Sequence, residues 1–123
     1  MGYTENLIDF IGKSTDCYHA VKTAKDRLDE NDFTELLEGD KWDVQSGGKY
    51  YVIRNSSSII AFEMPKKDFG AFMICASHTD SPSFKLKPDF EINADGCIKL
   101  SVEGYGGMIM SSWLDRPLSI SGR

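Results

Sequence analysis

His78 and Asp80 stand two residues apart in the stretch Ala76-Ser77-His78-Thr79-Asp80-Ser81-Pro82, directly after the apolar run Phe72-Met73-Ile74-Cys75. Such a run predicts a buried β-strand over Ala71 to Ser77 that delivers His78 at its end. Residues two apart on extended backbone point to the same side, so the Asp80 carboxylate can accept one imidazole N–H and leave the other nitrogen free. That is the arrangement that orients a histidine toward a metal ion. Open α/β sheets also place their ligands beyond the carboxyl ends of the strands.

The rest of the donor inventory is thin. A catalytic zinc site takes three protein ligands and an open position for water. The chain has two histidines, His19 and His78, and three cysteines, Cys17, Cys75 and Cys97, with neither His-Glu-x-x-His nor Cys-x-x-Cys spacing. Asp89, Glu91, Asp95 and Glu103 read as solvated strand and turn. One histidine cannot hold a catalytic zinc, so the 123 residues are expected to be a piece of an enzyme and inactive alone. His19 lies near a helical face and reads as a packed or hydrogen-bonded histidine, and Cys75 reads as a small core residue. Gly47-Gly48-Lys49 is no phosphate loop, because Asp43 and Tyr50 occupy positions where Gly and Ser/Thr are needed. Gly104-Tyr105-Gly106-Gly107 lacks the dinucleotide spacing. Trp113 and Leu114 fit a core or an interface equally well.

Composition narrows the function classes. The net charge is −5, and Lys66-Lys67 and Lys85-Leu86-Lys87 are too sparse for a phosphate-binding patch, so no nucleic-acid partner is expected. No apolar run approaches the roughly 20 residues that span a bilayer, so no membrane partner is expected either. The start lacks the basic and apolar regions of a signal peptide, and Asn6 breaks the myristoylation pattern. Three widely spaced cysteines make no disulfide framework, and a cytoplasmic location is expected. The 41% hydrophobic content suffices for a core.

The elements that must position His78 follow from periodicity. Thr4 can cap a short helix with Leu7, Ile8 and Ile11 on one face, ended by Gly12. Ser14 or Thr15 can cap a second helix burying Tyr18, Val21, Ala24 and Leu28, with Lys22, Lys25, Asp26 and Asp29 in water, stopped by Asn31-Asp32. Phe33 to Trp42 reads as a connection. Lys49 to Asn55 and Ser58 to Met64 predict an antiparallel hairpin, as do Asp89 to Asn93 and Cys97 to Val102 around Asp95-Gly96. Gly104 to Gly107 reads as a flexible turn, and Leu118 to Ser121 as the start of a strand. The fold class is α/β, locally α+β: two N-terminal helices and then a mainly β segment.

Ser77-His78-Thr79-Asp80-Ser81-Pro82 with Lys85-Leu86-Lys87-Pro88 resembles the first metal-binding segment of the M18 zinc aminopeptidases, the aspartyl aminopeptidases. Tyr18-His19-Ala20-Val21, Gly47-Gly48-Lys49-Tyr50, Arg54-Asn55, Ser58 to Phe62, Tyr105-Gly106-Gly107 and Trp113 to Leu118 fall in the family's order. The resemblance runs from about residue 5 to the end and covers only the N-terminal portion of family members. It implies a metalloprotease with two zinc ions, His78 as a metal ligand and Asp80 as a catalytic-site residue that orients it. The bridging Asp, the acidic pair with the catalytic Glu, another acidic ligand and a second His would come from later segments. It further implies a peptide substrate with an acidic N-terminus, a homo-oligomer when intact, and two domains: residues 1–88 opening the peptidase α/β domain and 89–123 starting an inserted β-rich assembly domain. The alternative is a short non-catalytic paralogue acting as a binding or assembly module through its strand edges.

Overall fold

The computed structural model describes residues 2–123. The chain divides into two compact bodies, one of residues up to Asp80 together with Ser121–Arg123, the other Ser81–Ile120.

The first body opens with α1, Tyr3–Lys13, and α2, Cys17–Asp29. The N-cap of α1 is Gly2 and not Thr4, and Glu5 reaches back to accept from the Gly2 amide at 2.9 Å. Gly12 does not end this helix. It lies within the last turn, where Lys13 pairs with Asp9 at 2.9 Å and complements the carbonyl end of the helix. The expected apolar face stays largely in solvent, with Leu7, Ile8 and Ile11 all more than half exposed.

Asp16, and neither Ser14 nor Thr15, caps α2. Its Oδ1 accepts from the amides of Tyr18 at 2.8 Å and His19 at 2.9 Å, satisfying two donors that a helix N-terminus leaves orphaned. The chain leaves α2 through Asp32, which takes φ 64°. A carboxylate side chain tolerates that left-handed conformation better than most.

Beyond α2, three strands form one sheet in the order β1-β2-β3. β1 (Thr34–Glu35) runs parallel to β2 (Lys49–Arg54), and β2 pairs antiparallel with β3 (Ser58–Glu63) from Lys49↔Glu63 to Arg54↔Ser58. The hairpin is the predicted one. Asn55 and Ser56 adopt φ 53° and 56° in its turn, which fixes the path of the chain tightly.

The buried hydrophobic residues are Ala20, Val21, Tyr50, Tyr51 and Val52, drawn from one face of α2 and from β2. Full burial of an apolar side chain is worth about 1.5–3 kcal/mol, and Val21 and Tyr51 reach that limit at 2% and 1% exposure. The Tyr51 hydroxyl does not go unpaired. It accepts from Lys25 Nζ at 2.5 Å and donates to Asp29 Oδ1 at 2.7 Å, and Lys25 also reaches Glu35 at 3.0 Å. Hydrogen bonds from Lys25 to Tyr51 and Glu35 raise the lysine pKa, and burial raises that of the phenol. One tyrosine thereby bolts α2 to β1 and β2.

The second body is a long hairpin, β4 (Ser83–Ala94) with β5 (Cys97–Tyr105), then a 3₁₀ turn at Met110–Trp113. Asp95 at φ 49° and Gly96 at φ 77° make the tight turn anticipated from the Asp-Gly pair. Pairing runs further than predicted, to Ser83↔Tyr105, so Gly104 belongs to a strand and not to a flexible turn. A register shift lies between Leu86 and Glu91. Pro88 falls inside it, where its missing N–H costs the ladder nothing. Trp113 packs edge-on against Phe84, ring centroids 5.6 Å apart. Leu118 to Ser121 is not a strand, because no neighbouring segment pairs with it among the described residues.

The cap at Asp16 yields a test. Burial alone would raise its carboxyl, but hydrogen bonds from Ser121 and from the His19 amide and ring outweigh it and hold the pKa down to about 2. A depressed carboxyl stabilises the fold above its unfolded pKa of about 3.9, and the gain disappears as pH falls toward the folded value. Acid unfolding between roughly pH 4 and 2 should therefore lose its steepest component in Asp16→Ala, which should also cost about 1–2 kcal/mol at neutral pH. Urea titrations at both pH values check this. Equal acid sensitivity of the two proteins would contradict it.

Candidate functional site

His78 and Asp80 close the first body's main segment. The strand predicted over Ala71 to Ser77 does not form. Those residues have no regular structure, and Phe72, Met73 and Ile74 are 79%, 103% and 85% exposed. A strand needs a neighbour to satisfy its amides and carbonyls, and none of the described strands pairs with this run. Cys75 is exposed with it, contrary to the core position expected.

The chemistry of the pair survives that loss. His78 Nδ1 lies 2.8 Å from the Asp80 main-chain carbonyl and 3.1 Å from Asp80 Oδ1. Both partners are acceptors, so Nδ1 is the donor, and in the neutral ring Nε2 is the nitrogen that presents a lone pair. The imidazole side chain is 80% exposed and the Asp80 side chain 45%, which leaves Nε2 accessible. Thr79, between them, donates from Oγ1 to the Ser57 carbonyl at 2.8 Å. That anchor, like the Asp80 carbonyl's part in gripping the ring, gave no sign in the sequence, because a main-chain acceptor has no residue signature.

Could these residues hold zinc? The pair fits one nitrogen ligand with its supporting carboxylate. No group of three His, Cys, Asp or Glu side chains that could hold a metal ion gathers among the described residues, so this segment could offer one ligand and not a complete set. Asp89, Glu91, Asp95 and Glu103 are exposed, as predicted.

His19 presents a different cluster. Its Nδ1 meets Asp16 Oδ2 at 2.7 Å and Ser121 Oγ at 3.5 Å, Ser121 also donates to Asp16, and Thr15 Oγ1 lies 2.6 Å from Ser121 Oγ. Asp, His and Ser invite comparison with a nucleophilic triad, whose imidazole bridges acid and nucleophile through opposite nitrogens. Here both partners meet one nitrogen. The cluster is a hydrogen-bonded clasp at the N-terminus of α2, as the reading of His19 anticipated. A cleft of about 390 Å³ nearby, lined by Tyr18, Val21, Ile53 and Arg123 among others, does not include His78. Cavity size and metal chemistry thus point to different places. The ligand geometry is the more informative, since the cleft is mostly apolar.

Residues 10–123 match the family profile described as aminopeptidase I zinc metalloprotease (M18). The chain belongs to the M18 family. It is 43% identical over 124 residues to a probable M18 family aminopeptidase 2 of Clostridium novyi, covering 98% of this chain and 29% of that protein. A protein of the same description from Clostridium acetobutylicum is 46% identical over 127 residues, with the same coverage. Among solved structures, the complex of Ape4 and Nbr1 shares 40% identity at a TM-score of 0.86, covering 90% of this chain and 22% of that one. Yeast aminopeptidase 1 shares 34% identity at a TM-score of 0.75, over 91% and 27%. The chain spans about 29% of the length of the curated relatives it matches, in their N-terminal portion. The α+β arrangement of two helices followed by strands is that of these M18 neighbours. No described helix is long and apolar enough to cross a membrane.

An M18 segment built this way should show sharply uneven protection. Amides of Phe72 to Cys75 should exchange at close to unprotected rates in deuterium, while those of Tyr50 to Val52 are slowed by orders of magnitude. Hydrogen-exchange mass spectrometry on the 123-residue chain reads both at once. Slow exchange at Phe72 to Cys75 would mean that the run finds a strand partner.

Proposed function

We propose that this chain forms the N-terminal part of a zinc metalloaminopeptidase that removes Asp or Glu from peptide N-termini, with His78 as a zinc ligand and Asp80 as the residue that orients it. The observation that carries the reading is the double grip on His78 Nδ1, at 2.8 and 3.1 Å, with Nε2 left accessible. Asp80 fixes the tautomer and raises the basicity of the free nitrogen. When bound, zinc would polarise a scissile carbonyl and lower the pKa of a bound water to about 7. The chain's own share is to hold one nitrogen at a set angle, a carboxylate behind it, on a segment open to the donors of later segments.

The remaining finer points belong to the same reading. The 123 residues alone are inactive. In this reading residues 1–88 open the peptidase domain and 89–123 begin an inserted β-rich assembly domain, although the compact bodies divide earlier, at Asp80 and Ser81. The intact protein is a cytoplasmic homo-oligomer. Support for assembly comes from a structural neighbour, the mApe1 dodecamer of S. cerevesiae, at a TM-score of 0.75. The large exposed apolar side chains of Ile60, Met73 and Ile74 add to it, since soluble surfaces rarely keep such patches bare.

The test joins this chain to the C-terminal remainder of the Clostridium acetobutylicum relative and measures zinc content with hydrolysis of N-terminal Asp and Leu substrates. The fused enzyme should cleave the Asp substrate, and the 123-residue chain should not. His78→Ala should lose one zinc and the activity. Asp80→Asn should keep zinc but bind it ~10–100-fold more weakly. Unchanged zinc affinity in both variants would sink the assignment.

A further inference from the structure

The residue between the two site residues does work of its own. Thr79 is half-buried although the run before it is exposed, and its hydroxyl donates to the Ser57 carbonyl at 2.8 Å. Ser57 closes the β2–β3 turn, whose path is set by two left-handed residues, Asn55 and Ser56. The Ser57 amide is itself held by the Arg54 carbonyl at 3.1 Å, so the acceptor is fixed to the end of the sheet. The preceding eight residues, 71–78, have no regular structure. Without such an anchor, the His78–Asp80 grip would orient the imidazole only relative to a backbone that no helix or sheet holds.

We infer that Thr79 is a positioning residue for the metal ligand: its bond to the Ser57 carbonyl sets His78 against the β2–β3 turn, while Asp80 sets the ring's rotation. The two constraints are complementary. A carboxylate on Nδ1 cannot fix where the histidine backbone lies, and a hydroxyl on a sheet carbonyl cannot choose a tautomer. This inference rests on the reading of His78 as a zinc ligand.

The test uses the fused enzyme described above and four variants, Thr79→Val, Thr79→Ala, Thr79→Ser and His78→Ala. Three quantities are read: zinc affinity by competition with a chelator, the visible spectrum of the Co²⁺-loaded protein, and the thermal midpoint. Thr79→Val keeps the shape of threonine and loses the donor. It should bind zinc ~10-fold or more weakly, within the range for lost supporting partners, and alter the Co²⁺ spectrum. Thr79→Ser should restore affinity to within about twofold. Thr79→Ala removes the hydroxyl without a branched replacement and decides the matter if Thr79→Val does not fold. Wild-type affinity and spectrum in the hydroxyl-free variants, with His78→Ala impaired, would overturn the role of Thr79 alone. Wild-type affinity in His78→Ala would overturn the ligand assignment and this inference with it.

Discussion

Tyr51 is the constraint on which the first body depends. Its ring is almost fully buried between α2 and the sheet, and its hydroxyl sits between Lys25 and Asp29 of the helix, with Lys25 reaching on to Glu35 of β1. A buried hydroxyl left unpaired would cost about 1–3 kcal/mol, so the helix can dock only where those side chains meet it. That docking fixes β2, β2 fixes the hairpin with β3, and the hairpin turn supplies the carbonyl that receives Thr79. The position of His78, the proposed ligand, thus traces back to a helix–sheet contact formed far from it in sequence.

The site itself is built by economy. In the proposed site three consecutive residues divide the labour: His78 would offer the ligand nitrogen, Thr79 ties the backbone to the β2–β3 turn, and Asp80 grips the ring through carbonyl and carboxylate together. Nothing in this arrangement requires the run 71–77 to be a strand. The exposure of Phe72, Met73 and Ile74 shows that the ligand geometry and the apolar run are separable. Local hydrogen bonds form one. The other needs a neighbouring strand that the described residues do not provide.

Much of this was legible in the sequence. The two hairpins were, because Asn55-Ser56 and Asp95-Gly96 carry turn chemistry and their flanks alternate. The His78–Asp80 pairing was too, because spacing of two decides it locally. The failures share a cause. The run 71–77 reads as buried because apolar β-formers belong in sheets, yet burial depends on partners that a local pattern cannot reveal. Gly12 reads as a stop, although nothing at that position requires a left-handed residue, and Asp16 rather than Ser14 or Thr15 directly precedes the first helical residue and accepts from the Tyr18 and His19 amides. The Asp16–Ser121 and Tyr51–Lys25 contacts join residues distant in sequence, where periodicity is silent.

The central claim is that Asp80-held His78 meets zinc through Nε2. Anomalous diffraction at the zinc edge, on crystals of an M18 enzyme carrying this segment, tests it directly. The account predicts a zinc peak about 2.1 Å from His78 Nε2, with Asp80 still on Nδ1 and Thr79 still on the Ser57 carbonyl. A zinc peak bound at Nδ1 with Asp80 displaced, or zinc in the active centre with no contact to His78, would contradict it.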